Sequence, residues 1–256
     1  MTFATDLYST AELSARHETL NVKAVVWTAF ALRIYEVTMN KIKLLALDLD
    51  GTTLTSKNTL APAVKSALEK AIENGIIIAI ATGRPLGTMP QSILDIEGID
   101  YLITSNGAAI YDRHGKKIYS ATLKENDVLK ILDVMKDEDI ISEAFVDGLT
   151  YTDKRYSDNP LAYGCTEAYI DYVKASHGHI EDMRKFIFEH KNELDSIEYI
   201  STDPQTRKRI WTMLENAVED IFITTSSEHF IELMDKSATK ASALSHLAEM
   251  LNIDMQ

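Results

Sequence analysis

Cysteine is nearly missing. Cys165 stands alone in 256 residues, so no internal disulfide can form and a reducing, cytoplasmic setting is expected. Positive charge is scarce too: 26 Lys and Arg face 39 Asp and Glu, a net charge of −13. A nucleic-acid-binding surface needs Lys and Arg to neutralise phosphates, so that partner class is excluded. A small anionic substrate is not, because a local cationic pocket can override the global field. Long apolar runs are also lacking. The most apolar stretch near the start, Ala24 to Leu32, is bracketed by Lys23 and Arg33 and is too short to span a bilayer, so no membrane partner is expected. The first residues carry Asp6 and Glu12 and show no basic region ahead of an apolar core, so no secretory signal is read there. Repeats and low-complexity tracts are absent. What remains is an ordinary globular composition, 45% hydrophobic and 25% charged, with length for one large or two smaller domains.

Regular alternation begins after Met39. Residues 1–38 differ in character from the rest of the chain: Ser9–Glu12 reads as a helix capping box, and Val22 to Leu32 reads as strand or buried helix, which periodicity does not decide. Either Met39 is the natural start or the leader is a docking helix. Ile42 to Leu49 is a near-continuous apolar run, as in a strand buried on both faces of a parallel sheet. Ala61 to Asn74 has helical spacing, with Val64, Leu68 and Ile72 on one face and Gly75 as its stop. Gly75 to Gly83 is a second buried strand, Met89 to Ile96 a helix, and Tyr101 to Thr104 a third strand. This βαβαβ order predicts an α/β fold with a doubly wound, Rossmann-like parallel sheet. A β-hairpin comes next, around Arg113-His114-Gly115. After about Ala121, mixed hairpins and helices predict an α+β insert. Helices are read at Leu123–Lys136 and Pro204–Ala217, and strands on either side of Asp147-Gly148, at Ser196–Ser201, Ile221–Thr225 and His229–Met234. From about Lys240 to Leu251 a helix returns to the first style. The expected division is 1–38 extension, 39–122 first core part, 123–234 insert and 235–256 second core part.

The first strand ends in LLALDLDGTTL, Leu44 to Leu54. In open α/β sheets ligands bind beyond the carboxyl ends of the strands, and there Asp48 and Asp50 stand one residue apart. Two like charges this close repel, and a cation relieves them. Oxygen donors with few protein partners suit Mg²⁺. One carboxylate can then attack phosphorus as a nucleophile, and the other can serve as general acid and base. Gly51 allows the sharp turn that brings backbone amides near a phosphate. Asp and Gly are also common turn residues, so this loop alone is no more than suggestive. Other strand ends add to it. Ala81 to Pro85 offers the Thr82 hydroxyl, the open backbone of Gly83 and Arg84 as a phosphate clamp. Ser105 to Ala108 brings Asn106 and Gly107. Lys240 stands at a helix start, where amide donors favour anions.

These four segments together resemble the haloacid-dehalogenase-like superfamily, most closely its Cof-type, IIB-capped sugar-phosphate phosphatases. The resemblance covers Met39 to Gln256. It implies Asp48 as nucleophile and Asp50 as general acid/base, with Asp48 and the Asp50 backbone carbonyl on Mg²⁺. It implies that Thr82 and Lys240 hold the phosphoryl group, with Gly83, Arg84, Asn106 and Gly107 as further pocket residues. The insert would be a cap that closes over a small phosphorylated metabolite and selects it. The chain departs from the pattern in two places. Ala241 stands where relatives have Gly, and the family's last carboxylate motif, with its strand beside the Asp48 strand, is not found before Gln256; Asp254 comes too early to replace it. A shortened, catalytically weak member that only binds phosphate ligands is therefore the alternative, and an exposed sheet edge is expected. A receiver-like domain is the third reading, opposed by the large insert and the Asp-Leu-Asp-Gly-Thr spacing.

Other candidates draw plainer readings. His177-Gly178-His179 is expected in a polar surface loop, for want of a third metal ligand. Ser227, His229 and Asp235 lack a nucleophile elbow. Cys165 has no activating partner. Tyr151, Tyr156, Tyr163, Tyr169 and Tyr172 either line a sugar pocket or pack the insert.

Overall fold

Apolar runs of four to six residues build the first sheet. The computed structural model describes residues 42–55 and 57–254; the leader and the Met39 start lie outside them. Strands β1 (Leu44–Leu47), β2 (Ile77–Ala81) and β3 (Ile99–Thr104) are parallel neighbours, and β4 (Ala109–Asp112) and β5 (Lys117–Ser120) complete the sheet as an antiparallel hairpin. Period-two alternation sorts β2 to opposite faces. Ile78 and Ile80 pack with Leu68 of helix α1 (Pro62–Glu73), while Ala79 and Ala81 pack with Ala243 and Leu247 of the last helix. Helices therefore cover both faces, as a doubly wound sheet requires, and the small side chains of one face let the last helix approach closely. Each fully buried isoleucine contributes about 2 kcal/mol. Strand β1 is the outer strand among the described residues, and all four of its residues are only half-buried.

The helix expected at Met89–Ile96 shrinks to one turn, α2 (Gln91–Leu94). Pro90 precedes it, and Gly98 lies just beyond at φ +94°, which leaves room for little more.

A second sheet has six strands, in the order β10-β11-β9-β6-β7-β8. Its elements run α3 (Glu125–Val134), β6 (Ile141–Val146), β7 (Leu149–Asp153), α4 (Lys154–Asp158), α5 (Ile170–Ser176), β8 (His177–Ile180), α6 (Met183–Glu189), β9 (Leu194–Ile200), α7 (Pro204–Ala217), β10 (Ile221–Thr224) and β11 (Phe230–Asp235); helix α8 (Lys240–Met250) then returns to the first sheet. Ala144, Val146, Ile197, Tyr199, Ile231 and Leu233 turn to one face and pack with Val128, Ile131, Ile187, Ile210 and Leu214 of α3, α6 and α7. Alternation sends Glu143, Glu198 and Glu232 to the other. That second face meets the first sheet: Gly87 N donates to Gly148 O at 2.7 Å, and Asn106 Nδ2 donates to Glu232 Oε2 at 3.1 Å.

The expected loop at His177-Gly178-His179 is instead β8, paired in parallel with β7. Gly178 has a packing reason: a Cβ there would lie 2.6 Å from the Tyr151 ring. No helix among the described residues is long and apolar enough to cross a membrane.

Candidate active site

The acidic loop is shaped by its own backbone. Thr53 donates to the Asp48 carbonyl through both its amide (3.2 Å) and its hydroxyl (2.6 Å). Gly51 sits at φ +70°, which other residues rarely adopt. Leu49, fully buried, anchors the loop in the core between the two aspartates.

Each aspartate finds a cation distant in sequence. Lys240 Nζ donates to Asp48 Oδ1 at 2.7 Å, across 192 positions. Arg84 grips Asp50 with two bonds, Nε to Oδ2 at 2.8 Å and NH2 to Oδ1 at 2.6 Å. This bond is the main cause holding the guanidinium above its already high pKa. The Asp48–Lys240 pair is open to solvent, its side chains 40% and 38% exposed, so it is reachable by a ligand and contributes little as a surface salt bridge; in the other pair Asp50 is exposed while the Arg84 side chain is mostly buried.

The remaining expected residues link these pairs into a closed circuit. Arg84 N donates to Thr82 Oγ1 at 3.2 Å, and Asn106 N donates to Thr82 O at 3.0 Å. A Cβ on Gly83 would come within 3.0 Å of Asn106 Oδ1. Gly107, at φ +108°, backs onto the main chain of Thr239 and Lys240, where any Cβ would collide with the Thr239 carbonyl. Helix α8 starts at that point through a reciprocal cap, with Ser242 N donating to Thr239 Oγ1 at 3.0 Å and Thr239 N to Ser242 Oγ at 3.1 Å. Lys240 is thus fixed in the first turn of the helix and aimed at Asp48.

Asn58, which the sequence reading did not place here, and two of the five tyrosines also reach the site. Asn58 Oδ1 accepts from Arg84 NH2 at 3.4 Å, and its Nδ2 donates to Tyr169 OH at 2.9 Å. The Arg84 guanidinium lies 5.9 Å from the centre of the Tyr172 ring. Of the five tyrosines, Tyr169 and Tyr172 reach the site, whereas Tyr151 packs on Phe186 with the helix-side core and Tyr156 packs on Tyr163. Glu143, Glu198 and Glu232 were missed. Their signal was a single glutamate inside each of three apolar strands, SEAFV, SIEYI and FIELM.

Among the described residues no group of three or more His, Cys, Asp or Glu side chains gathers as a metal cage. The acidic loop still offers the Asp48 carboxylate and the Asp50 carbonyl. An oxygen-only set this lean fits Mg²⁺, which keeps several waters and binds through one or two carboxylates plus substrate phosphate.

The ends of parallel strands and the start of helix α8 bring an acidic loop, an arginine and a lysine together, an arrangement of the α/β class suited to phosphate esters. The chain belongs to the haloacid dehalogenase-like hydrolases, whose family model matches residues 45–256. The phosphatase YwpJ of Bacillus subtilis is 30% identical over 233 residues, covering 84% of this chain and 81% of that protein. Another B. subtilis relative, 5-amino-6-(5-phospho-D-ribitylamino)uracil phosphatase YwtE, is 26% identical, with 84% and 79% covered. A solved haloacid dehalogenase-like hydrolase from B. subtilis superposes with a TM-score of 0.68 at 29% identity, covering 83% of this chain and 80% of that one. The chain is a phosphatase of this family, and such hydrolases are in general metal-dependent.

Proposed function

We propose that the chain hydrolyses small phosphorylated metabolites, sugar phosphates foremost, with Mg²⁺ and through an aspartyl phosphate on Asp48. The observation that carries this is the pairing of both aspartates of one loop with cations from separate strand and helix ends. YwtE, named for a small phosphorylated substrate, supports the same substrate size.

Asp48 Oδ1 is held by Lys240, which leaves Oδ2 to attack phosphorus. The bond from phosphorus to the alcohol oxygen breaks, and Asp50 gives that oxygen a proton. Asp50 then takes a proton from water, whose oxygen attacks phosphorus. The bond between phosphorus and Asp48 breaks, and phosphate leaves with the carboxylate restored. Arg84 occupies both Asp50 oxygens, so Asp50 can carry a proton only after Arg84 releases it. An entering phosphoryl group offers Arg84 an equivalent bidentate partner. Thr82 and Lys240 hold the phosphoryl oxygens, with Gly83, Asn106 and Gly107 shaping the loop around them. Mg²⁺, on Asp48 and the Asp50 carbonyl, would offset the negative charge between nucleophile and phosphate. Residues 123–234 act as the cap, over a core of 39–122 and 235–256.

The test is hydrolysis of an aryl phosphate by the purified chain with and without Mg²⁺, with Asp48→Asn as control. We expect turnover that needs Mg²⁺ and falls at least about 10³-fold in the variant. A folded chain that binds phosphate without turning over any ester overturns this reading and leaves ligand binding alone.

A further inference from the structure

Three buried glutamates lie side by side over the site. The strand register pairs Glu143 with Glu198 and Glu198 with Glu232, and Thr152 extends the row beyond Glu143. At the usual strand spacing the three carboxylates span about 10 Å. They are 3%, 8% and 4% exposed, a burial that charged residues almost never reach unpaired. Both ends of the row are tied to the acidic loop's surroundings. Glu232 accepts from Asn106 Nδ2 at 3.1 Å and from Ser226 N at 2.5 Å. Near Glu143, the Tyr172 ring packs on His177 at 5.5 Å between centres and faces Arg84, the partner of Asp50. Tyr172 thus stands between the Glu143 end of the row and the Arg84–Asp50 pair, and Asn106 links the Glu232 end to the same loops.

The Glu143 end of the row is poorly satisfied. Among the described residues, Glu143 Oε1 and the hydroxyl of fully buried Thr152 find no well-formed hydrogen bond, and that neutral hydroxyl is the one group on hand that favours the ionised carboxyl. His177 Nε2 comes only to 3.6 Å from Glu143 Oε1, and burial pushes this imidazole down to about 4, so it supplies no cation at neutral pH. Burial also pushes Glu143 up to about 7. For Glu198, burial first and Glu232 second push the carboxyl well above the usual range. Buried polar groups without partners are rare and call for an occupant. The row is linear, and among the described residues no group of three or more His, Cys, Asp or Glu side chains gathers there as a metal cage. A cationic group that donates hydrogen bonds would complete it.

We infer that the alcohol part of the substrate carries an amine, and that Glu143, Glu198 and Thr152 receive the ammonium group while the phosphoryl group rests at Asp48. The inference rests on the phosphatase reading and narrows its substrate class to amine-bearing phosphate monoesters. The ammonium supplies the donors that the row lacks and lets the carboxyls ionise in its presence. Neutral polyols meet the hydroxyl of Thr152 but give the carboxyls no counter-charge.

The experiment compares glucosamine phosphate with glucose phosphate, esterified at the same carbon, so that the two probes differ by one ammonium group. We expect kcat/KM to favour the amine by about tenfold to a hundredfold, the range of a charge-assisted hydrogen bond. Glu143→Gln and Glu198→Gln should each bring that ratio close to one. A merely structural role would lower both substrates together and leave the ratio intact. Equal turnover of the two esters by the wild-type chain, or a ratio unmoved by either variant, overturns the inference while the phosphatase reading stands. If no ester is turned over, the phosphatase reading fails, and calorimetric binding of the same two probes still decides the amine preference. Thermal melts confirm that each variant is folded.

Discussion

The molecule carries two acidic groups with opposite treatment. Asp48 and Asp50 are half-exposed, and each is matched by a cation at hydrogen-bond distance. Glu143 and Glu198 are buried, and neither has an Arg or Lys partner among the described residues. The first arrangement costs little desolvation and leaves its charges ready for chemistry. The second keeps carboxyls out of water with only a neutral hydroxyl and an imidazole beside Glu143 among the described residues, which natural folds tolerate mainly where a ligand completes the site. One pair is satisfied by the fold; the row waits on what enters.

The sharpest way to break the first half of that comparison is to remove its cation. Lys240→Met keeps the length of the side chain and deletes the charge beside Asp48. We expect kcat to fall by about 10² to 10³, the usual effect of losing a preorganised group at developing charge. The thermal melt should hardly move, because an exposed pair contributes little to stability. A variant that loses its fold rather than its rate would show that Lys240 is structural. Aryl phosphate kinetics beside a melting curve separate the two.

How the lysine reaches Asp48 depends on Gly107, and this yields the next largest effect. The strand-end motifs around Asp48, Thr82 and Asn106 were legible because each is local, an apolar run and then polar and glycine residues within four or five positions, whereas Lys240, at a helix start with no glycine beside it, was singled out with the help of the family resemblance. Their mutual placement was legible too, since parallel strands of an open sheet deliver their carboxyl ends to one side. The part played by Gly107 was not, because the clash it avoids lies with Thr239 and Lys240, more than a hundred positions away. The glutamate row was illegible for the same reason. Glu143, Glu198 and Glu232 each look like a lone charge in an apolar strand, and only the registers of β6, β9 and β11 align them. Strand β8 was missed because glycine and two histidines weaken the usual strand pattern, while the cause of that glycine, the Tyr151 ring, sits on the neighbouring strand. Gly107→Ala adds a Cβ against main chain at a left-handed φ, so the start of α8 must shift. A loss of about 3 kcal/mol is expected from overpacking and strain together, along with displacement of Lys240 and reduced turnover. Chemical denaturation of this variant checks the first effect, and unchanged stability would mean that the loop yields freely.

The smallest expected effect probes the second half of the comparison through pH. Burial raises the Glu143 pKa from 4.5 to about 7 in the folded chain, so between those values the folded state binds the proton that the unfolded state has lost. Stability from this group is present below the unfolded pKa and is lost as pH rises through the folded one. His177 runs the other way: its folded value, lowered to about 4, makes its contribution present at higher pH and lost as pH falls. Glu143→Gln removes this carboxyl and with it one of the charges that raise Glu198, so its comparison with the wild-type chain reports the neighbouring carboxyls together. The amide cannot ionise, so the variant should gain on the wild type by about 2 kcal/mol between about pH 5 and about pH 8. Denaturant midpoints across that range measure it. A gap between the two proteins that stays constant with pH would mean that Glu143 already finds a compensating partner, and the contrast between a satisfied pair and an unsatisfied row would then close.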